Sequence, residues 1–371
     1  MNVENFFNAL NADFYAGVPD SLLKALCNYL IDKYGNNNKH HIIAANEGNA
    51  AALAAGYHLA TNKIPVVYMQ NSGEGNIVNP VASLLSEKIY AVPMIFVVGW
   101  RSEPNVKDES QHIFQGEITL KLLEVLGIDY FVVKTETTAE EIETAMKNFR
   151  QKLNVGKQVA FVVCKNALTY DKKISYSNAN KIIREDAIKF ITDFAADDLI
   201  ISTTGKISRE LFEIRTKNNQ PHCKDFLTVG SMGHASSIAL GIAVQKPDRK
   251  IWCIDGDGAA LMHMGALSVI GAVNPQNFIH IVINNEAHES VGGMPTAAKF
   301  TNLSAVAKAC GYSYAETVDS YEELETQLRY IKNHRQLSFL EIKTSITSRK
   351  DLGRPTISPL DNKNNFMKGL Q

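Results

Sequence analysis

One aspartate and two asparagines stand at the ends of neighbouring apolar runs, where a metal ion and a phosphate could be held together. Ile251 to Ile254 reads as a buried strand that delivers Gly256-Asp257-Gly258. A helix-like segment follows, Pro275 stops it, and a second apolar run, Phe278 to Ile283, delivers Asn284 and Asn285. A strand-turn-helix-strand unit of this kind is parallel, with both loops at the carboxyl ends of adjacent strands. Asp257 and the asparagine pair are therefore expected to lie close together. Glycines let the backbone approach a phosphate, and a helix amino terminus favours its negative charge. One carboxylate, one amide oxygen and one backbone carbonyl suit Mg²⁺, which takes few protein ligands and completes its shell with phosphate oxygens and water. Gly-Asp-Gly alone would be an ordinary turn; the asparagines after the next strand turn the reading toward a metal-diphosphate anchor.

A second carboxylate, Glu47, ends another apolar run, His41 to Ala45, within Asn46-Glu47-Gly48-Asn49. In isolation it reads as a solvated cap of the next helix. Histidines form a third set. His112 follows a strong strand and a long polar loop, His288 lies just past the asparagines, and His263 falls in a helical segment as a packing residue.

The stretch from Gly256 to Asn285 resembles the diphosphate motif of the thiamin-diphosphate enzymes. That resemblance implies Mg²⁺ held by Asp257, the Asn285 side chain and the backbone carbonyl of Ala287, where the family often has glycine. It also implies thiamin diphosphate bound near Thr204, Gly205, Gly230, Gly256 and Gly258, with Met232 under the bend of the cofactor. Glu47 matches the glutamate that bonds the aminopyrimidine ring nitrogen, a role that needs a pKa raised by burial. The implied fold is α/β, two open parallel-sheet domains with no middle domain. The implied assembly is a homodimer or higher, with the cofactor at the subunit interface and Glu47 of one subunit serving Asp257 of another.

Thiamin chemistry implies a 2-oxo acid substrate. The segments GVPDSLL, QNSGEGNIVNP, GWRSEPNVKDESQH, STTGKISRELFE, GSMGHASSIALGIA, HESVGGMPT and DLGRPTISP resemble the branch of the family whose 2-oxo acids carry a phosphonate or sulfonate. The expected reaction is decarboxylation of 3-phosphonopyruvate to phosphonoacetaldehyde and CO₂, toward 2-aminoethylphosphonate. Sulfopyruvate decarboxylation, another 2-oxo acid decarboxylation or carboligation, and a noncatalytic subunit completing a partner's site remain open. A phosphonate needs cations or donors. Arg101, Lys107, His112 and Ser290 are the candidates, with Lys206, Arg349 and Arg354 behind them, and His112 and His288 are candidates for proton transfer.

The elements that must position these groups alternate along the whole chain. A length of 371 residues suits two domains, and a net charge of -1 suggests neither a nucleic-acid nor a membrane partner. No strand leads into G-x-G-x-x-G, which argues against a nicotinamide enzyme. Five scattered cysteines without a C-x-x-C pair, and a start without a signal-peptide pattern, give a cytoplasmic expectation. Residues 1–166 are expected as a pyrimidine-binding domain, 167–185 as a linker, 186–348 as a diphosphate- and Mg-binding domain, and 349–371 as an extended arm. Gly48 and Gly56 repeat the spacing of Gly233 and Gly241, each pair followed by an apolar strand and G-x-G. Two related halves follow from that echo.

Overall fold

The computed structural model describes residues 1–371 apart from Asn36, Lys173 and Gln371. One position each of the expected GNNNKH turn, linker and arm therefore lies outside the described residues. The chain divides into two units, Met1–Ser175 and Tyr176–Gln371, with no third unit. Each is a parallel sheet with helical crossovers.

In the first unit the strands are β1 (Tyr15–Gly17), β2 (His41–Ile43), β3 (Val66–Gln70), β4 (Met94–Gly99), β5 (Asp129–Val133) and β6 (Gln158–Val163). They pair in the order β2-β1-β3-β4-β6-β5, all parallel. Every residue of β4 and β6 is buried, as expected of apolar runs covered on both faces. The second unit has β7 (Leu199–Ser202), β8 (Asp225–Leu227), β9 (Ile251–Gly256), β10 (Phe278–Asn284), a ribbon of β11 (Ala287–His288) and β12 (Met294–Pro295), then β13 (Tyr314–Val318) and β14 (Ser338–Lys343). Its main sheet runs β13-β14-β10-β9-β7-β8, again all parallel. Read from the β8 edge, with the ribbon left out, this is second, first, third, fourth, sixth, fifth. The first sheet has the same order. The glycine echo therefore corresponds to a repeated topology, and the two-sheet α/β expectation holds.

Neighbours along β9 enter opposite cores. Trp252 and Ile254 pack with Ile279, Ile281 and Leu340 on one face, whereas Ile251 and Cys253 pack with Phe278, Val282 and Ala239 on the other. Both faces being covered, the only open backbone is at the edges and at the strand ends.

Several expectations needed correction. Residues 4–15 read in the sequence as a short amphipathic helix, but the helix spans Val3–Leu10, and Tyr15–Gly17 is a strand. Such a strand of three residues, like β8, is too short to leave a legible alternation. The helix expected between the glycine turn and Pro275 is two, Asp257–Met262 and Gly265–Val273. Residues 349–371 are not an extended arm throughout. Ser358 caps a helix, Pro359–Gly369, that begins on proline and buries Phe366 and Asn362. The Asn362 amide accepts from Leu227 N (3.0 Å) and donates to Asp225 O (2.9 Å). It thus closes backbone groups of the edge strand β8, which would otherwise be open to pairing.

Under that strand, Arg215 Nε and Nη2 grip the two Asp225 oxygens at 2.9 and 3.0 Å, with both side chains almost fully buried. Removing one partner leaves a bare buried charge. Arg215→Ala is expected to destabilise the protein by about 3–5 kcal/mol, read by denaturant unfolding, whereas a surface control such as Lys189→Ala should shift it by less than about 0.5 kcal/mol.

Candidate active site

In the second unit four loops leave the carboxyl ends of β7, β8, β9 and β10. The first two are tied together by Gly230, whose N–H donates to Thr204 Oγ1 at 3.1 Å. Left-handed backbone at Gly205, Gly230, Ser231 and Gly233 (φ 100°, 73°, 47° and 87°) shapes these turns, which glycine adopts without steric cost. At the end of β9, Asp257 is buried and begins a helix. Its carboxylate accepts from Thr296 Oγ1 at 2.8 Å, and the nearby backbone N–H groups of Gly258 and Glu286 favour its charged form. No basic side chain is among its partners, and burial pushes its pKa up to about 6.

Thr296 ties the β9 and β10 loops together, because its N–H also donates to Glu286 O at 2.9 Å. The two asparagines there do different things. Asn284 turns into the sheet, donating to Glu341 Oε1 at 2.6 Å and accepting from Glu286 N at 2.9 Å. Asn285 stays in the loop. Its Oδ1 accepts from Ala287 N (3.1 Å), its Nδ2 donates to Glu289 Oε2 (2.9 Å), and its carbonyl accepts from Asn178 Nδ2 (2.9 Å). A methyl group built on Gly258 would lie 3.3 Å from both Met232 Cε and His288 Cε1, so those two side chains converge over the Gly-Asp-Gly turn. Burial pushes His288 down to about 4, so its imidazole is neutral at physiological pH. Ser290 is exposed, and His263, in the turn between two helices rather than within one, packs at a tilt against His234 with ring centroids 4.3 Å apart.

This donor set fits a hard cation on a diphosphate. A buried carboxylate lacking a cationic partner, the Asn285 amide oxygen and the Ala287 carbonyl are oxygen donors of the kind such a cation takes, and Gly256 and Gly258 add no side chains of their own to the turn.

In the first unit Glu47 is the first residue of the helix Glu47–Thr61, capped by Asn46. It is buried, not solvated. Asn76 Nδ2 donates to its Oε2 at 2.6 Å, and a methyl group on Gly73 would run into its carboxylate. Burial raises its pKa, against the opposing Asn76 bond. Three strand-end loops meet nearby along the sheet. Gln70 Nε2 donates to the buried Asp20 at 2.6 Å, and Asn71 exchanges two bonds with the Arg101 backbone, at 3.0 and 3.2 Å. The Arg101 guanidinium grips both oxygens of Asp108 and donates to Ser21 Oγ at 3.1 Å. The long polar loop is thus closed on itself, and Arg101 is paired rather than free. His112 is held below its ordinary pKa by burial and then by Arg101, while Lys107 is exposed.

Partners supplied from distant positions were not legible: Thr296 for Asp257, and Asn76 and Gly73 for Glu47; Glu289, four residues from Asn285, was missed as well. Glu74 was also missed. It lies beside Gly73, is 2% exposed, and its Oε1 has no hydrogen-bond partner.

Models of the N-terminal and C-terminal thiamin pyrophosphate-binding domains of the thiamine pyrophosphate enzymes match residues 4–125 and 203–342. The chain is 30% identical over 364 residues to the phosphonopyruvate decarboxylase of Streptomyces viridochromogenes, covering 93% of this chain and 88% of that one. Sulfopyruvate decarboxylase subunit beta of Methanocaldococcus jannaschii is 36% identical over 51% of this chain and 97% of its own. Subunit alpha from the same organism is 32% identical over 40% of this chain and 85% of its own. The chain belongs to the thiamin pyrophosphate enzymes, among their decarboxylases of the phosphonopyruvate and sulfopyruvate type. Among the described residues no helix is long and apolar enough to cross a membrane.

Glu74 yields a test of the first unit's loop. Burial lifts its pKa from 4.5 to about 8, so the folded protein keeps a proton there that the unfolded chain has lost. Folded protein then binds more protons than unfolded between those two values, and stability falls as pH rises through that window, by about 1.4 kcal/mol per pH unit at most. Glu74→Gln is expected to raise the melting temperature at pH 8, with the gain shrinking toward pH 5. A pH-independent difference would contradict the assignment.

Proposed function

We propose that this chain decarboxylates 3-phosphonopyruvate to phosphonoacetaldehyde and CO₂, using thiamin diphosphate and Mg²⁺, on the route to 2-aminoethylphosphonate. The observation that carries the substrate is the similarity to the Streptomyces phosphonopyruvate decarboxylase across 93% of the chain. When bound, the cofactor supplies a carbon nucleophile and an electron sink for the 2-oxo acid. Asp257, the Asn285 oxygen and the Ala287 carbonyl hold Mg²⁺, which neutralises the diphosphate seated against Thr204, Gly205, Gly256 and Gly258. Glu47, its pKa raised by burial above that of an ordinary glutamate, would share a proton with the aminopyrimidine ring nitrogen. Met232 supports the bent cofactor, and the Gly230 carbonyl accepts from its amino group.

His288 and His112 are neutral, so each accepts a proton before it can return one. Lys107, exposed on the loop that Arg101 and Asp108 close, is the cation most accessible to an anionic head group. Arg101, His112 and Ser290 complete the candidate set. Sulfopyruvate is the second reading, supported by the similarity to the Methanocaldococcus subunits. A noncatalytic role is less favoured, since this one chain carries both the Glu47 and the Asp257 loops.

CO₂ release compared across 3-phosphonopyruvate, sulfopyruvate and pyruvate tests the substrate: phosphonopyruvate is expected to be turned over with the highest kcat/KM. Glu47→Gln is expected to fold and to bind cofactor while losing at least about 100-fold in kcat. Near-normal turnover under saturating cofactor would remove Glu47 from the mechanism. The chain is further proposed to act as a homodimer in which Glu47 and Asp257 of a given site come from different subunits. Inactive Glu47→Gln and Asp257→Ala proteins, mixed and allowed to exchange subunits, should then regain activity; an inert mixture, with exchange demonstrated, would show that each chain supplies both.

A further inference from the structure

Asn285 can offer a cation its oxygen or, after a half-turn of the amide, its nitrogen, and only the oxygen binds. The two orientations have nearly the same shape, so hydrogen-bond partners must choose between them. One partner is the Ala287 N–H, which donates to Oδ1 at 3.1 Å. The other is Glu289, whose Oε2 accepts from Nδ2 at 2.9 Å. A carboxylate only accepts, so a flipped amide would set oxygen against oxygen at Glu289 and N–H against N–H at Ala287.

Glu289 is itself held from two sides. Arg184 Nη1 donates to Oε2, and Lys206 Nζ donates to Oε1 at 2.9 Å. Arg184 is in turn gripped by the buried Glu210 at 2.7 and 2.8 Å, and Lys206 donates to Ser348 Oγ at 2.6 Å. Lys206 directly follows Thr204-Gly205, so Glu289 links that loop to the Asn285 loop.

We propose that Glu289 is a positioning residue that sets the Asn285 amide with its oxygen, rather than its nitrogen, presented to the metal. This rests on the reading that Asp257 and Asn285 hold Mg²⁺. Loss of such supporting bonds at metal sites typically costs 10- to 100-fold in affinity.

The test uses the full-length apoprotein. Thiamin diphosphate binding is followed by quenching of tryptophan fluorescence, with and without Mg²⁺. Glu289→Ala is expected to weaken the Mg²⁺-dependent binding about tenfold or more, leaving the weak metal-free binding unchanged. Glu289→Gln should lose less, since its amide oxygen can still accept from Nδ2, and it carries the test should the alanine variant fail to fold. In the background of Asn285→Ala, adding Glu289→Ala should cost nothing further, because the group it positions is gone. A general loosening of the loop would instead weaken metal-free binding too and would add to Asn285→Ala; either result overturns the proposal, as does wild-type metal dependence in Glu289→Ala. Asp257→Ala separates the two levels. If it keeps Mg²⁺-dependent binding, the metal-site reading fails; if it loses that binding while Glu289→Ala keeps it, only the positioning role fails.

Discussion

A carboxylate taken out of water at the end of a parallel strand has to be partnered, and the second unit is built around how Asp257 is partnered. Burying an ionised group without compensation costs far more than any single contact returns. A hydroxyl from Thr296 and two backbone N–H groups compensate Asp257 in part, but no side-chain cation does. The result is a concentrated negative site facing glycines. The same unit satisfies two other buried carboxylates, Asp225 and Glu210, with bidentate arginines and Glu341 with Lys343, whereas neither Asp257 nor Asp255 has a lysine or arginine partner among the described residues. In a family whose cofactor is a diphosphate, a cation is the natural complement.

The two sheets share one strand order, yet they place their carboxylates to opposite chemical effect. Asp257 sits among hydrogen-bond donors and oxygen ligands, an environment for an ion. Glu47 is buried with one amide donor and the bare flank of Gly73 against it, and burial raises its pKa. One topology thus offers two kinds of strand-end loop, and the residues set into them decide whether a loop serves charge or proton transfer.

Arg101 illustrates why candidate cations are hard to choose from a sequence. Its loop is polar and long, which suggested a free binding arm, but Asp108 a short distance along the chain claims the guanidinium. Lys206 is likewise occupied, by Glu289 and Ser348. The final helix, Pro359–Gly369, was hidden for a related reason. Its apolar content is small, and what holds it is one buried phenylalanine and an asparagine amide bonded to the β8 backbone.

The sequence by itself determined the alternation of strands and helices, the doubling of the pattern, and the Gly-Asp-Gly and Asn-Asn motifs, because these rest on local periodicity and on short spacings along the chain. It also placed Glu47 in the turn after a strand, though not as the first residue of a helix with its carboxylate buried. Only the tertiary structure decided which asparagine turns inward, that Thr296 reaches Asp257, and that Met232 and His288 meet over Gly258. Those are hydrogen bonds and packing contacts between residues far apart in the chain. No local pattern encodes them, because each depends on where crossover helices return the backbone to the same edge of a sheet.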